Sequence, residues 1–124
     1  MKITLSNMEW KLMNRLWDDA PMTLMQLTRA LAEDTGWTKH TVITMLTRLE
    51  NKGAVRWEQA GRARQYFPVI TGEEARREET AGFLDRVYGG KLGLMMSALV
   101  EDKALTKEDI QELAEILRKA GEEK

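Results

Sequence analysis

The spacing of apolar residues changes period once in the front of this chain, and that change restricts the folds open to it. Up to Lys52 apolar residues recur at helical spacing; from Val55 they alternate with polar ones, as in a strand. Ser6 and Glu9 form a capping-box pattern, and Met8, Leu12 and Leu16, with Met13 and Trp17, extend a helical stripe to about residue 18. Asp18-Asp19-Ala20-Pro21 ends it. Thr23 and Gln26 repeat the box, with Leu24, Leu27, Ala30 and Leu31 forming a helix face to about Glu33, and Gly36 stopping the chain. Thr38 caps a third helix that runs to about Lys52, and Gly53 ends it. Val55, Trp57 and Gln59 then alternate, Ala60 to Ala63 turn, and Gln65 to Pro68 return. Three short helices followed by a two-stranded ribbon is the order of a winged helix-turn-helix.

Beyond Pro68 the pattern becomes helical again. Thr71 and Glu74 give another capping box, and Thr80, Phe83, Leu84, Val87 and Tyr88 form a stripe up to Gly89-Gly90. Leu92, Met95, Met96, Leu99 and Val100 mark a short helix; Thr106 caps a last one carrying Ile110, Leu113, Ala114 and Leu117 on one side. These helices have no strand or lobe of their own to pack against. Burial against a second copy is the natural solution. The expected architecture is mainly α with a small β-ribbon. Residues 1–70 form a winged-helix domain and 71–124 a helical dimerisation segment whose contacts are Leu84, Val87, Leu92, Met95, Leu99, Ile110, Leu113 and Leu117.

Composition removes several function classes. With 43% hydrophobic and 31% charged residues the chain is globular rather than disordered. It has no cysteine, so a thiolate metal site, a disulfide framework and a cysteine nucleophile are all excluded. No apolar run suggests a membrane span, and the first residues do not read as a signal peptide, so a cytoplasmic protein is expected. The net charge of −1 hides a division: residues 1–70 carry 10 basic and 7 acidic side chains, residues 71–124 carry 9 and 13. The front excess is concentrated in residues 36–66, where Lys39, Arg48, Lys52, Arg56, Arg62 and Arg64 face only Glu50 and Glu58.

The third helix carries the functional signal. Val42, Met45, Leu46 and Leu49 fall on one side; His40, Thr41, Thr44, Thr47, Arg48 and Asn51 lie opposite or flank it, with no carboxylate among them. Threonine is a mediocre helix former, so four of them between Thr38 and Thr47 need another reason. A helix in the major groove uses short polar groups near base edges, methyls against thymine, and arginine forked onto guanine or phosphate. Arg62 and Arg64, at or beside the ribbon tip, suit a phosphate backbone or the minor groove. The expected DNA contacts are therefore Thr38, Lys39, His40, Thr41, Thr44, Arg48, Arg62 and Arg64, with double-stranded DNA as partner and no cofactor or metal.

Taken together these segments resemble the penicillinase-repressor (BlaI/MecI/CopY) family of bacterial regulators. The resemblance rests on Met8 to Met13 with Trp17, Gly36-Trp37-Thr38, Thr41 to Leu49, Lys52-Gly53-Ala54, Gly61-Arg62-Ala63 and Tyr66-Phe67-Pro68. It implies a homodimer that represses from a dyad operator with TACA/TGTA-type half-sites, with DNA contact at Thr41, Thr44 and Arg48. It also implies a regulatory protease or sensor system as a further partner. Two departures concern induction. Where antibiotic-responsive members have a cleaved Asn-Phe bond this chain has Ala98-Leu99, and the paired cysteines of copper-responsive members are absent. A third departure is His40, where the family usually has lysine.

Rival readings are weaker on the same residues. The single histidine lies on the polar side of the third helix, and no Ser/His/Asp set, glycine-rich phosphate loop or metal pair accompanies it, which argues against an enzyme. A winged helix that binds only protein would need no basic third helix. A ligand-sensing module could use Met95, Met96, Trp10 and Trp57, although methionines and aromatics at helical spacing usually form core.

Overall fold

A computed structural model describes residues 3–122. Its elements run α1 (Asn7–Asp19), β1 (Met22–Thr23), α2 (Leu24–Thr35), α3 (Lys39–Asn51), β2 (Val55–Ala60), β3 (Ala63–Pro68), α4 (Gly72–Tyr88), α5 (Leu92–Glu101) and α6 (Lys107–Glu122). The chain packs as two compact units, one ending at Glu79 and one beginning at Thr80.

In the first unit, the reciprocal capping boxes at Ser6/Glu9 and Thr23/Gln26 form as their spacing predicts. Gly36 closes α2 at φ 70°, a left-handed position where a Cβ is strained. Leu12, Met13 and Leu16 of α1, Leu27 and Leu31 of α2, and Val42, Leu46 and Leu49 of α3 are the largest fully buried side chains. Each contributes about 1.5–3 kcal/mol by leaving water. Val55 and Tyr66 extend this core onto the sheet.

Three expectations need correction. The ribbon is part of a three-stranded antiparallel sheet, order β1-β3-β2, because Met22 pairs with Tyr66 and Thr23 with Gln65. A two-residue strand has too few positions to show alternation. Met8 is 46% exposed; Glu9 takes the buried place beside Leu12 and Leu16. At α4 the Glu74 N–H donates to Thr71 Oγ1 (3.0 Å), but the Glu74 carboxylate accepts from the Thr71 hydroxyl instead of its backbone, so that box is only half formed.

The second unit is different in kind. No residue after Ala75 is a buried core hydrophobic among the described residues, and α5 and α6 contain no buried residue at all. Thr106 and Asp109 cap α6 reciprocally, so its start is well defined although its apolar side is bare. Ala98 and Leu99 lie within α5.

Candidate nucleic-acid interface

The core fixes which side of α3 faces outward. Val42, Met45, Leu46 and Leu49 are buried, and His40, Thr44, Thr47 and Asn51, spaced by fours and threes along the opposite ridge, are all exposed. The threonines solve their own helix problem: the hydroxyl of Thr44 donates to the His40 carbonyl and that of Thr47 to the Ile43 carbonyl, both at 2.9 Å. Each keeps oxygen lone pairs and a methyl for another partner. Lone pairs and methyls of this kind are the groups that complement amino groups and thymine methyls in a major groove. Arg48 is exposed beside this ridge, while Thr41 is half-buried. Thr38 is the N-cap: its oxygen accepts from the Thr41 N–H at 3.3 Å, and the two hydroxyls also lie 3.3 Å apart. Lys39 is exposed in the first turn.

The wing is fastened next to that ridge. Gly61 sits at φ 63° and is followed by Arg62, which has no positive φ, the pattern of a type II′ turn joining Ala60 to its partner Ala63. The turn puts Arg62 at the exposed tip. Arg64 lies 3.9 Å above the Trp57 ring, and the Trp57 indole N–H donates to Glu50 of α3 at 3.0 Å. An exposed cation–π contact of this kind contributes about 0.5–1 kcal/mol. Arg64 is thus held in place, whereas Arg62 has no ion pair among the described residues.

Not every cation in the basic stretch remains for a partner. Lys52 Nζ lies 2.6 Å from Glu9 Oε1 and 2.8 Å from the Thr4 carbonyl, and Arg56 pairs with Glu58 while stacking on Phe67 at 4.3 Å. Burial raises the cost of ionising Glu9, but the Lys52 ammonium and the Ser6 N–H, which donates at 2.8 Å, outweigh it and hold the carboxyl below its ordinary value. This pair ties the start of α1 to the end of α3. Four cations are then left at the edge: Lys39, Arg48, Arg62 and Arg64.

Thr47 and Asn51, which are not among the expected contacts, share the outward ridge; helical spacing from His40 and Thr44 is the sequence signal for them. The side chains expected at a dimer contact all remain at least partly exposed. Leu84, Met95, Leu99 and Leu113 are half-buried, and Val87, Leu92, Ile110 and Leu117 are 52%, 52%, 51% and 67% exposed. Leu94 and Ile116, 56% and 53% exposed, extend that apolar set.

The sequence matches the family described as penicillinase repressor over residues 5–119. The chain belongs to that family. It is 31% identical over 113 residues to the penicillinase repressor of Bacillus licheniformis, covering 91% of this chain and 88% of the relative. The BlaI monomer of Bacillus licheniformis in complex with the blaP half-operator superposes with TM-score 0.53 at 30% identity, over 59% of this chain and 90% of that one. The Staphylococcus aureus regulator MepR shares the fold at TM-score 0.56 and 19% identity, over 96% of this chain and 79% of that one. As a penicillinase-repressor family member the chain is a DNA-binding transcriptional repressor and not an enzyme. Among the described residues, no helix is long and apolar enough to cross a membrane.

Proposed function

We propose that this repressor acts as a homodimer on a palindromic operator, each copy laying α3 in the major groove with its wing against the adjacent backbone. The carboxylate-free ridge of His40, Thr44, Thr47 and Asn51, flanked by Arg48, carries the reading. Thr41, Lys39 and the Thr38 cap lie at the leading end of the helix, and Arg62 and Arg64 supply phosphate contacts from the wing. The relative solved with a half-operator supports a half-site for each copy. Residues 1–70 bind DNA and 71–124 hold two copies together in the cytoplasm, through the bare apolar sides of α4, α5 and α6. A protease or sensor partner completes the circuit, acting on something other than an Asn-Phe bond.

Selecting bound fragments from the source genome, then measuring affinity on the recovered site across a salt series, tests this. The expected result is a two-fold repeat and a steep fall in affinity with salt, because every neutralised phosphate releases counterions. Unrelated fragments, or a salt-independent affinity, would refute a groove-reading dimer.

A further inference from the structure

Beside α3 a cleft of about 370 Å³ opens between the start of α2 and the wing. That is within the range of small-molecule sites. Its lining is apolar at Leu24, Met25 and Ile43, and Tyr66, Lys39 and Arg62 also line it. Met25 is left 46% exposed there, without a packing role in the core.

Tyr66 is the second observation. The residue is 3% exposed, and no side-chain hydrogen bond among the described residues involves its hydroxyl. No side-chain oxygen or nitrogen among the described residues is both sealed from solvent and unpartnered, so that hydroxyl keeps some contact with solvent, and Tyr66 is one of the residues that line the cleft. A buried phenol normally finds a partner. A bare phosphate would engage the cations but would leave the apolar wall wet.

We propose that this cleft binds a small amphipathic carboxylate and that its occupation weakens operator binding. The apolar body covers Leu24, Met25 and Ile43, the carboxylate faces Lys39 and Arg62, and an acceptor on the ligand takes the Tyr66 hydroxyl. The second half rests on the assignment of α3 and the wing to DNA: a ligand that occupies Lys39 and Arg62 removes two cations from the phosphate backbone.

Calorimetric titration of the full chain with 4-phenylbutyrate, indole-3-acetate and octanoate, each beside its uncharged amide, tests the site. At least one acid should bind about tenfold tighter than its amide, the difference expected of a charge-assisted contact. Tyr66→Phe, which keeps the ring, and Met25→Gln, on the exposed rim, should each weaken that binding while leaving operator affinity unchanged. Saturating ligand should lower operator affinity and flatten its salt dependence. No binding by any acid, equal binding of acid and amide, or binding that neither variant weakens would overturn the site. Unchanged operator affinity with ligand bound would overturn its link to DNA. If the ligand-free chain bound no operator, the DNA assignment would fall while the calorimetry still decided the cleft.

Discussion

Replacing Lys52 with methionine isolates Glu9, the one buried charge among the described residues of the winged unit. Glu9 is 3% exposed, and its Oε1 accepts from both Lys52 Nζ at 2.6 Å and the Ser6 N–H at 2.8 Å. In Lys52→Met the Ser6 bond remains and the cation is gone. Breaking a fully buried pair costs about 3–5 kcal/mol. Lys52 is 39% exposed, so water reaches the carboxylate once the ammonium leaves, and the expected loss drops to about 1–3 kcal/mol, the range for a hydrogen bond to a charged group. Urea unfolding followed by tryptophan fluorescence reads this unit alone, since Trp10, Trp17, Trp37 and Trp57 all lie before Glu79. The pH dependence supplies the control. Glu9 has a lowered pKa in the folded chain, so its stabilisation is complete above the unfolded value near 4.5 and is lost as pH falls through the lower folded value. The gap between wild type and Lys52→Met should therefore be widest above about pH 5 and shrink on acidification below about pH 4. A loss below about 0.5 kcal/mol at neutral pH, or a gap that does not narrow in acid, would refute the claim that this pair holds α1 to α3.

Three further outcomes follow from the geometry. Arg48→Ala should weaken specific DNA binding by about 1–3 kcal/mol if the guanidinium forks onto a base; an equal loss on scrambled DNA in a gel-shift titration would make it a phosphate contact. Arg62→Ala should weaken binding on every sequence and lower the salt slope by about 1, and an unaltered slope would remove the wing tip from the interface. Leu113→Asp or Leu84→Asp should leave the tryptophan-reported unfolding of the winged unit intact while shifting sedimentation toward monomer, by placing an unpaired charge in a contact meant to be apolar; an intact dimer in both would displace the proposed contact surface.

The sequence by itself determined the local elements. Short-range hydrogen bonding fixes the starts of α1, α2, α3 and α6 through Ser6, Thr23, Thr38 and Thr106, and the partners of each cap lie three residues away, so no distant contact is needed to form them. It also separated the apolar side of α3 from its threonine ridge, since both follow from the helical period. Tertiary structure alone decided the rest. Met22 became a strand only because Tyr66, far along the chain, offered it a backbone partner. Glu9 rather than Met8 faces inward, where Lys52 meets it, and that encounter takes Lys52 out of the basic excess of residues 36–66. The cleft under Met25 exists because α2, α3 and the wing converge there, an arrangement with no periodic signature along the chain. Local capping and periodicity act over a few residues and are written in the order of the side chains; pairing and charge compensation act across space, and only the folded chain sets those distances.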